Sequence, residues 1–345
     1  MTDTRPMFAM KAWLFAGLCM LCGQSFADQG AAAGGGLLTA ENACERSPEP
    51  TASNPLTWLV RIGEASRQLN YVGTFSYQTG WRTETSRIVH RYAKGVESER
   101  MEVLDGSPRE VIRQGKELRC VFPAQRTVIM GQATARGMFP GRLPRNYDEM
   151  TENYRVRLDG VERIAGYEAQ KLVLEPRDEF RFGHVLWAEL QSGLLLKSQV
   201  LDVKGEPIEQ FVFSDVRIGG EVDDELLVPR VKVDAGWHTI DVGWDDRTQF
   251  EKQWRLRESL PGFTLIVITR HRVGGALQMV FSDGIAAISV FIEPVETGVE
   301  ARGAYPEGGT VSVFERIASG HRITAMGEVP ASVVQRAAEA IEALK

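Results

Sequence analysis

This sequence predicts an α+β protein made mostly of antiparallel strands: a large curled sheet first, then a smaller sheet closed by a terminal helix. Three observations predict it. Residues 156–214 form a ladder of short alternating strands, punctuated by Gly160, Gly166, Pro176-Arg177-Asp178, Gln191-Ser192-Gly193 and Gly205-Glu206-Pro207. Such spacing means successive hairpins, and a sheet of that many strands curls. A helix-period segment stands before the strands, and a second strand series ends in the apolar stripe Val333, Ala337, Ile341 and Leu344.

At 345 residues the chain exceeds one typical core, which favours two domains. Arg5 and Lys11, the apolar run 12–22 and Ser25-Phe26-Ala27 read as a secretory signal peptide cut after residue 27, with a run too short to span a bilayer. A lipid-anchored alternative meets an obstacle: Cys19 and Cys22 follow leucines rather than small residues. Cleavage removes Arg5, Lys11 and Asp3, a net +1, so the charge moves from −6 to −7. An acidic chain of this kind lacks the basic face of a nucleic-acid binder. Cys44 and Cys120 remain; in an exported protein they can pair, or stay apart with Cys120 packed in the core.

Residues 28–53, rich in Ala, Gly, Pro and Glu, read as a flexible tether. Asn54 as N-cap and Pro55 at the first helical position start a helix over 55–69, with Leu56, Leu59, Val60, Ile62 and Leu69 at mostly helical spacing. The period then switches to two. Tyr71, Gly73, Phe75 and Tyr77 fall on one face of a strand. Strands follow near 84–92, 97–104, 109–114, 117–122 and 126–130, then a long loop with a helical turn over 131–150, then the ladder. Leu194-Leu195-Leu196 and Phe211-Val212-Phe213 are apolar on both faces, as in strands covered on each side. The large domain is placed at 54–229, a linker at 230–249, and a small domain at 250–345. The latter has strands near 263–271, 276–282, 286–293, 299–305, 310–317 and 321–326.

Three separated runs carry a resemblance: LNYVGTF (69–75), PRDEFRFGHVLWAELQSGLLLKS (176–198), and LPGF (260–263) paired with GHRITAMGEVP (320–330). In this order, over residues 55–345, the chain resembles the RseB/MucB family of periplasmic regulators of the sigma-E envelope-stress pathway. The resemblance implies a large domain similar to the lipoprotein carriers LolA and LolB, an unclosed antiparallel barrel with helices on its concave side. It implies a partner, the periplasmic part of a membrane-spanning RseA/MucA-type anti-sigma factor, shielded from site-1 proteolysis. It also implies release of that partner by lipid or lipopolysaccharide fragments.

An unclosed barrel leaves an apolar hollow, and burying an acyl chain there gains about 0.8 kcal/mol per methylene. Strand alternation nominates Tyr71, Phe75, Tyr77, Phe182, Leu186, Trp187, Leu195, Phe211 and Phe213 as its wall; each also suits an ordinary core under the N-terminal helix. Arg177 and Arg181, at a turn with Asp178, and Arg270 and Arg272, flanking His271, are candidate contacts for anionic headgroups or an acidic partner. Local ion pairing or a solvated strand end is the alternative at each. The partner itself suits a sheet edge or the domain interface.

An enzyme is the rival from another class. The five histidines stand singly, with no HExxH, GxSxG or GxxxxGK. No cofactor motif is present, and His238 with Asp241, Asp245 and Asp246 is the densest local group of metal-ligand types, in the presumed linker. A dispersed active site leaves no short motif. A lipoprotein carrier is the nearer rival, which the 254–345 unit argues against. Whether the chain forms a homo-oligomer is left open at this level.

Overall fold

A computed structural model describes residues 54–132, 148–241, 244–245, 253–271, 275–296, 298, 300–301, 303–306 and 309–344. The chain opens with helix α1 (Pro55–Gln68), whose Asn54 side chain accepts from Leu56 N–H at 2.9 Å. That bond satisfies one of the amides a helix start leaves bare. Trp58, Leu59, Ile62 and Ala65 form its buried stripe. Strands β1 (Tyr71–Thr79), β2 (Arg82–Ala93), β3 (Val96–Val103), β4 (Glu110–Gln114), β5 (Glu117–Phe122) and β6 (Thr127–Gln132) follow as a meander. A short helix α2 (Asp148–Asn153) leads into β7 (Tyr154–Ile164), β8 (Tyr167–Pro176), β9 (Gly183–Glu189), β10 (Leu195–Leu201) and β11 (Pro207–Ile218).

After α3 (Asp224–Leu227), β12 (His238–Asp241) completes a twelve-stranded sheet in the order β12-β6-β5-β4-β3-β2-β1-β11-β10-β9-β8-β7. Every pairing is antiparallel except β12 on β6. Its two edge strands, β12 and β7, do not pair, so the barrel is unclosed. The curl is visible where Tyr167 Oη on β8 donates to Val216 O on β11 at 3.1 Å, across two intervening strands. Residues 230–249, read as linker, instead give a strand to each sheet: β12 to the large one and β13 (Trp244–Asp245) to the small one. The reach from Thr127 to Met130 on β6 supplies β12's hydrogen bonds, a partner no local period announces.

Directly paired residues share a sheet face. One row therefore runs Tyr77, Phe211, Ser198, Leu186, Leu172, Leu158, and a neighbouring pair is Phe75 with Phe213. Leu186 and Leu172 of that row pack with Trp58, Leu59 and Ile62, which puts α1 on the concave side. Arg61 holds it there by donating to Leu190 O at 2.7 Å and Gln191 O at 2.9 Å while stacking on Trp58.

The second sheet has the order β13-β15-β16-β17-β20-β19-β18, with β15 (Thr264–His271), β16 (Leu277–Ser282), β17 (Ala287–Pro294), β18 (Gly303–Pro306), β19 (Ser312–Ala318) and β20 (His321–Gly327). Helix α4 (Ala331–Ala340) buries Val333, Val334, Ala337 and Ala338 against Ile288, Val290, Ile323 and Ala325. The helical stripe was expected to run through Ile341 and Leu344. It stops at Ala340 because Arg316 takes the carbonyls of Ala338 and Ile341, at 2.8 and 2.6 Å. The chain then turns into β21 (Ile341–Ala343), paired with β14 (Trp254–Leu256). Cys120 is buried beside Val111, Leu118 and Ile129; Cys44 lies outside the described residues.

Gly73 explains the central letter of LNYVGTF. A Cβ there would stand 2.7 Å from both Asp215 O and the Phe213 ring. Relief requires moving backbone of β11. Gly73→Ala is expected to destabilise the chain by about 1–3 kcal/mol, read as a lowered urea midpoint with the slope of the transition unchanged.

Candidate functional site

The two remote motifs of the resemblance meet at one place. Turn 177–182 between β8 and β9 carries Arg181, whose side chain is fully buried. Its Nη1 donates to Asp283 Oδ2 at 3.0 Å, its Nε to Asp178 Oδ1 at 2.9 Å, and its Nη2 to Pro261 O at 2.9 Å. The guanidinium plane lies over the rings of Tyr154 and Phe263, 5.7 and 5.2 Å from their centroids. Asp283, itself buried, also accepts from Tyr154 Oη and from the amides of Ile285 and Ala286. Thus PRDEFRFG of the large domain grips LPGF and the β16–β17 turn of the small one. Gly262, at φ +71°, passes so close that a Cβ would stand 2.6 Å from Arg181 Nη2. Phe180, one residue earlier, packs into the small-domain core under Arg336. A second seam lies at Thr310, which donates to Glu209 Oε2 at 2.6 Å.

The partner-binding candidates therefore separate. Arg181 has no surface to offer; its turn position hid a buried clamp. Arg177 is exposed and donates to Thr151 O at 3.0 Å. It borders a groove of about 500 Å³ lined also by Glu175, Asp178, Glu179, Leu201 and Val203. Arg270 is half-buried at the β13–β15 edge. Arg272 lies outside the described residues, as does Asp246 of the His238 group.

Among the candidate wall residues, Tyr71, Phe75, Phe211 and Phe213 are brought into one aromatic cluster. Phe75 and Phe211 lie 4.8 Å apart, Phe211 and Phe213 5.0 Å. Tyr77 borders it, half-buried. Leu186 and Leu195 lie further along the concave face, covered by α1. Trp187 packs in the cluster of Tyr71, Phe75, Phe211 and Phe213, whereas its neighbour Leu186 packs under α1. It pairs with Lys197 and Lys171, one row on from Leu186, and strand alternation sends the two side chains to opposite faces of β9. Lys197 and Lys171 stack on the indole, which donates to Glu162 at 2.9 Å. Phe182 is buried in the turn before β9 and belongs to none of these clusters. The hollow is thus packed by its own side chains: the five wall residues Tyr71, Phe75, Leu195, Phe211 and Phe213 are each at most 7% exposed.

A polar group on the same concave face was not legible in the chain. His90 pairs with Glu99 across β2 and β3, and Glu99 with Arg113 across β3 and β4. His90, Glu97 and Glu99 converge, with Tyr71 stacked on the imidazole at 4.7 Å. Their sequence spacing is that of two strands and a hairpin turn, which is informative only once the register is known.

Burial holds the His184 imidazole down at a pKa of about 4, with Tyr154 edge-on to the ring at 6.0 Å. An unfolded histidine titrates near about 6.5. As pH falls from there toward 4, the unfolded chain takes a proton that the folded one refuses, so stability drops. The full effect would be about 3 kcal/mol, but the ring retains partial exposure, and screening reduces it to about 1–2 kcal/mol. Urea midpoints between pH 7 and 4.5 should fall less steeply in His184→Gln than in the natural chain. At the clamp, Asp283→Asn leaves the buried Arg181 charge with the Asp178 carboxylate alone. A loss of about 3–5 kcal/mol is expected, with X-ray scattering showing a more extended particle wherever the variant remains folded.

Comparison with known proteins bears on this geometry. The MucB/RseB N-terminal domain family matches residues 54–231, and the MucB/RseB C-terminal domain family matches 248–342. The sigma factor AlgU regulatory protein MucB of Pseudomonas aeruginosa is 31% identical over 306 residues, covering 85% of this chain and 92% of its own length. The sigma-E factor regulatory protein RseB of Haemophilus influenzae is 23% identical over 294 residues, covering 82% and 90%. The solved complex of Pseudomonas aeruginosa MucA and MucB superposes with a TM-score of 0.66 at 28% identity, over 84% of this chain and 99% of that one.

Proposed function

The chain belongs to the MucB/RseB family, and on that premise we propose that it is a periplasmic negative regulator of a sigma-E-type envelope-stress response. In this reading it binds the periplasmic part of an RseA/MucA-type anti-sigma factor and shields that segment from site-1 proteolysis. Lipid or lipopolysaccharide acyl groups loosen the grip. The observation that carries the reading is the match of both domains together with the clamp that joins them. A carrier of lipoproteins needs only the half-barrel. Here the half-barrel's own turn 177–182 is committed to a second domain, through Arg181 and Phe180.

A regulated grip needs two arrangements that differ in affinity for partner and for lipid. The aromatic cluster and α1 fill the hollow, so an acyl chain must displace side chains to lodge there; at about 0.8 kcal/mol per methylene, several methylenes offset a displacement of a few kcal/mol. Arg177 and Arg270 are the remaining described candidates for contacts with an acidic partner segment. Arg272 belongs to the same proposal.

The test is calorimetric titration of a MucA-type periplasmic domain into the full mature chain, repeated with an acylated lipid A fragment at saturation. Binding that weakens tenfold or more with the lipid, accompanied by renewed cleavage of the partner by a site-1 protease, is the expected result. Binding unchanged by lipid would remove the release step; absence of binding would remove the reading altogether.

A further inference from the structure

We propose that His90, Glu97 and Glu99 form a buried divalent-cation site of the zinc class on the concave face of the large sheet, beside the end of α1. One ligand atom from each of the three lies within 4.8 Å of the other two. His90 is fully buried, and its Nδ1 lies 2.7 Å from the carbonyl of Leu69, the residue that caps α1. A carbonyl can only accept, so Nδ1 carries the proton. In the neutral ring, Nε2 then presents its lone pair, and it faces Glu97 Oε1 at 3.3 Å. Two acceptors cannot face each other at that distance unless a proton or a metal ion lies between them. A ligating histidine orients itself in this way, its second nitrogen bonded to a carbonyl. Ligands about 2.0–2.2 Å from a tetrahedral zinc stand about 3.4 Å apart, the separation already present between His90 and Glu97.

A proton on Nε2 would also fill that gap. It leaves Glu99 unexplained. This carboxylate is only 6% exposed and makes no hydrogen bond or ion pair among the described residues, although it points into the same cluster. Two carboxylates and a neutral imidazole neutralise a divalent ion in the first shell. Arg113, which donates to Glu97 Oε1, then serves as the outer donor that orients a ligating carboxylate. Tyr71, stacked on His90, closes the side facing the aromatic cluster.

The experiment is calorimetric titration of zinc chloride into the full mature chain after chelator treatment, with cobalt(II) absorption as a readout of geometry. One equivalent should bind, raise the Tm, and give the visible bands of a four-coordinate cobalt site. Glu99→Gln, close in shape, should weaken zinc at least tenfold while keeping the metal-free circular dichroism spectrum. His90→Asn should abolish binding, and His321→Asn, an exposed site, should leave it unchanged. The proposal is overturned if no saturable equivalent binds, or if a folded Glu99→Gln binds zinc as the natural chain does. It is equally overturned if the His90 ring titrates identically with and without zinc, which would show that a proton alone occupies the gap. Anti-sigma binding is not part of the readout, so failure here leaves the regulator reading untouched.

Discussion

The burial of one guanidinium organises this protein. Taking Arg181 out of water is costly, and only complete solvation by fixed groups offsets it. Those groups come from five residues at four places: Asp178 on its own turn, Tyr154 at the start of β7, Pro261 and Phe263 on the approach to β15, and Asp283 at the β16–β17 turn. The requirement explains why Gly262 lacks a side chain and why Asp283 is itself held by two amides. Replacing the whole network by apolar residues of equal volume need not weaken the fold. Its contribution is a particular arrangement of two domains that share no continuous sheet.

The second constraint is geometric. A strand sends alternate side chains to opposite faces, so an unclosed sheet of twelve strands has an inner and an outer wall throughout. The inner wall is aromatic at β1 and β11, aliphatic under α1, and polar where His90, Glu97 and Glu99 meet. These are neighbouring stations on one surface. Helix α1 touches two of them directly, through Trp58 at Leu186 and through its final carbonyl at His90. Moving α1 would expose apolar wall and break the His90 hydrogen bond together.

Much of this was legible in the chain, and the rest fails for identifiable reasons. The strand ladder, the Asn54-Pro55 start and the two-domain division follow from period and punctuation, which are local. Arg181 makes the local ion pair with Asp178 that the turn suggests, but its burial is not legible there, because its other carboxylate acceptor, Asp283, lies 102 residues away. Trp187 and Leu186 are adjacent on β9 and part into different clusters, Trp187 with the aromatic residues and Leu186 under α1, a division that a list of apolar strand positions does not make. The His90 group depends on cross-strand register, which a hairpin sets only once its turn is formed. Strand β21 was hidden because its residues continue the helical spacing, and the competing bond from Arg316 comes from another element.

The two constraints meet in Tyr154. Its ring packs in the cluster beneath α1 with Trp58, Leu172 and Leu186, while its hydroxyl donates to Asp283 of the small domain and its face receives Arg181. Burial raises its pKa far above the ordinary phenol value, with the Asp283 carboxylate adding to the rise, so the hydroxyl stays a donor at any pH the folded chain meets. A displacement of α1 can therefore reach the clamp through Tyr154, and also through Ile285, which packs against the same cluster and donates its amide to Asp283. Contiguity of this kind is necessary for coupling and does not measure it. The share that Tyr154 carries, one aromatic contact and one hydrogen bond, is about 1–3 kcal/mol, or roughly a fivefold to a hundredfold change in an equilibrium constant. That share is smaller than the roughly 5.5 kcal/mol that moves a two-state equilibrium from one extreme to the other.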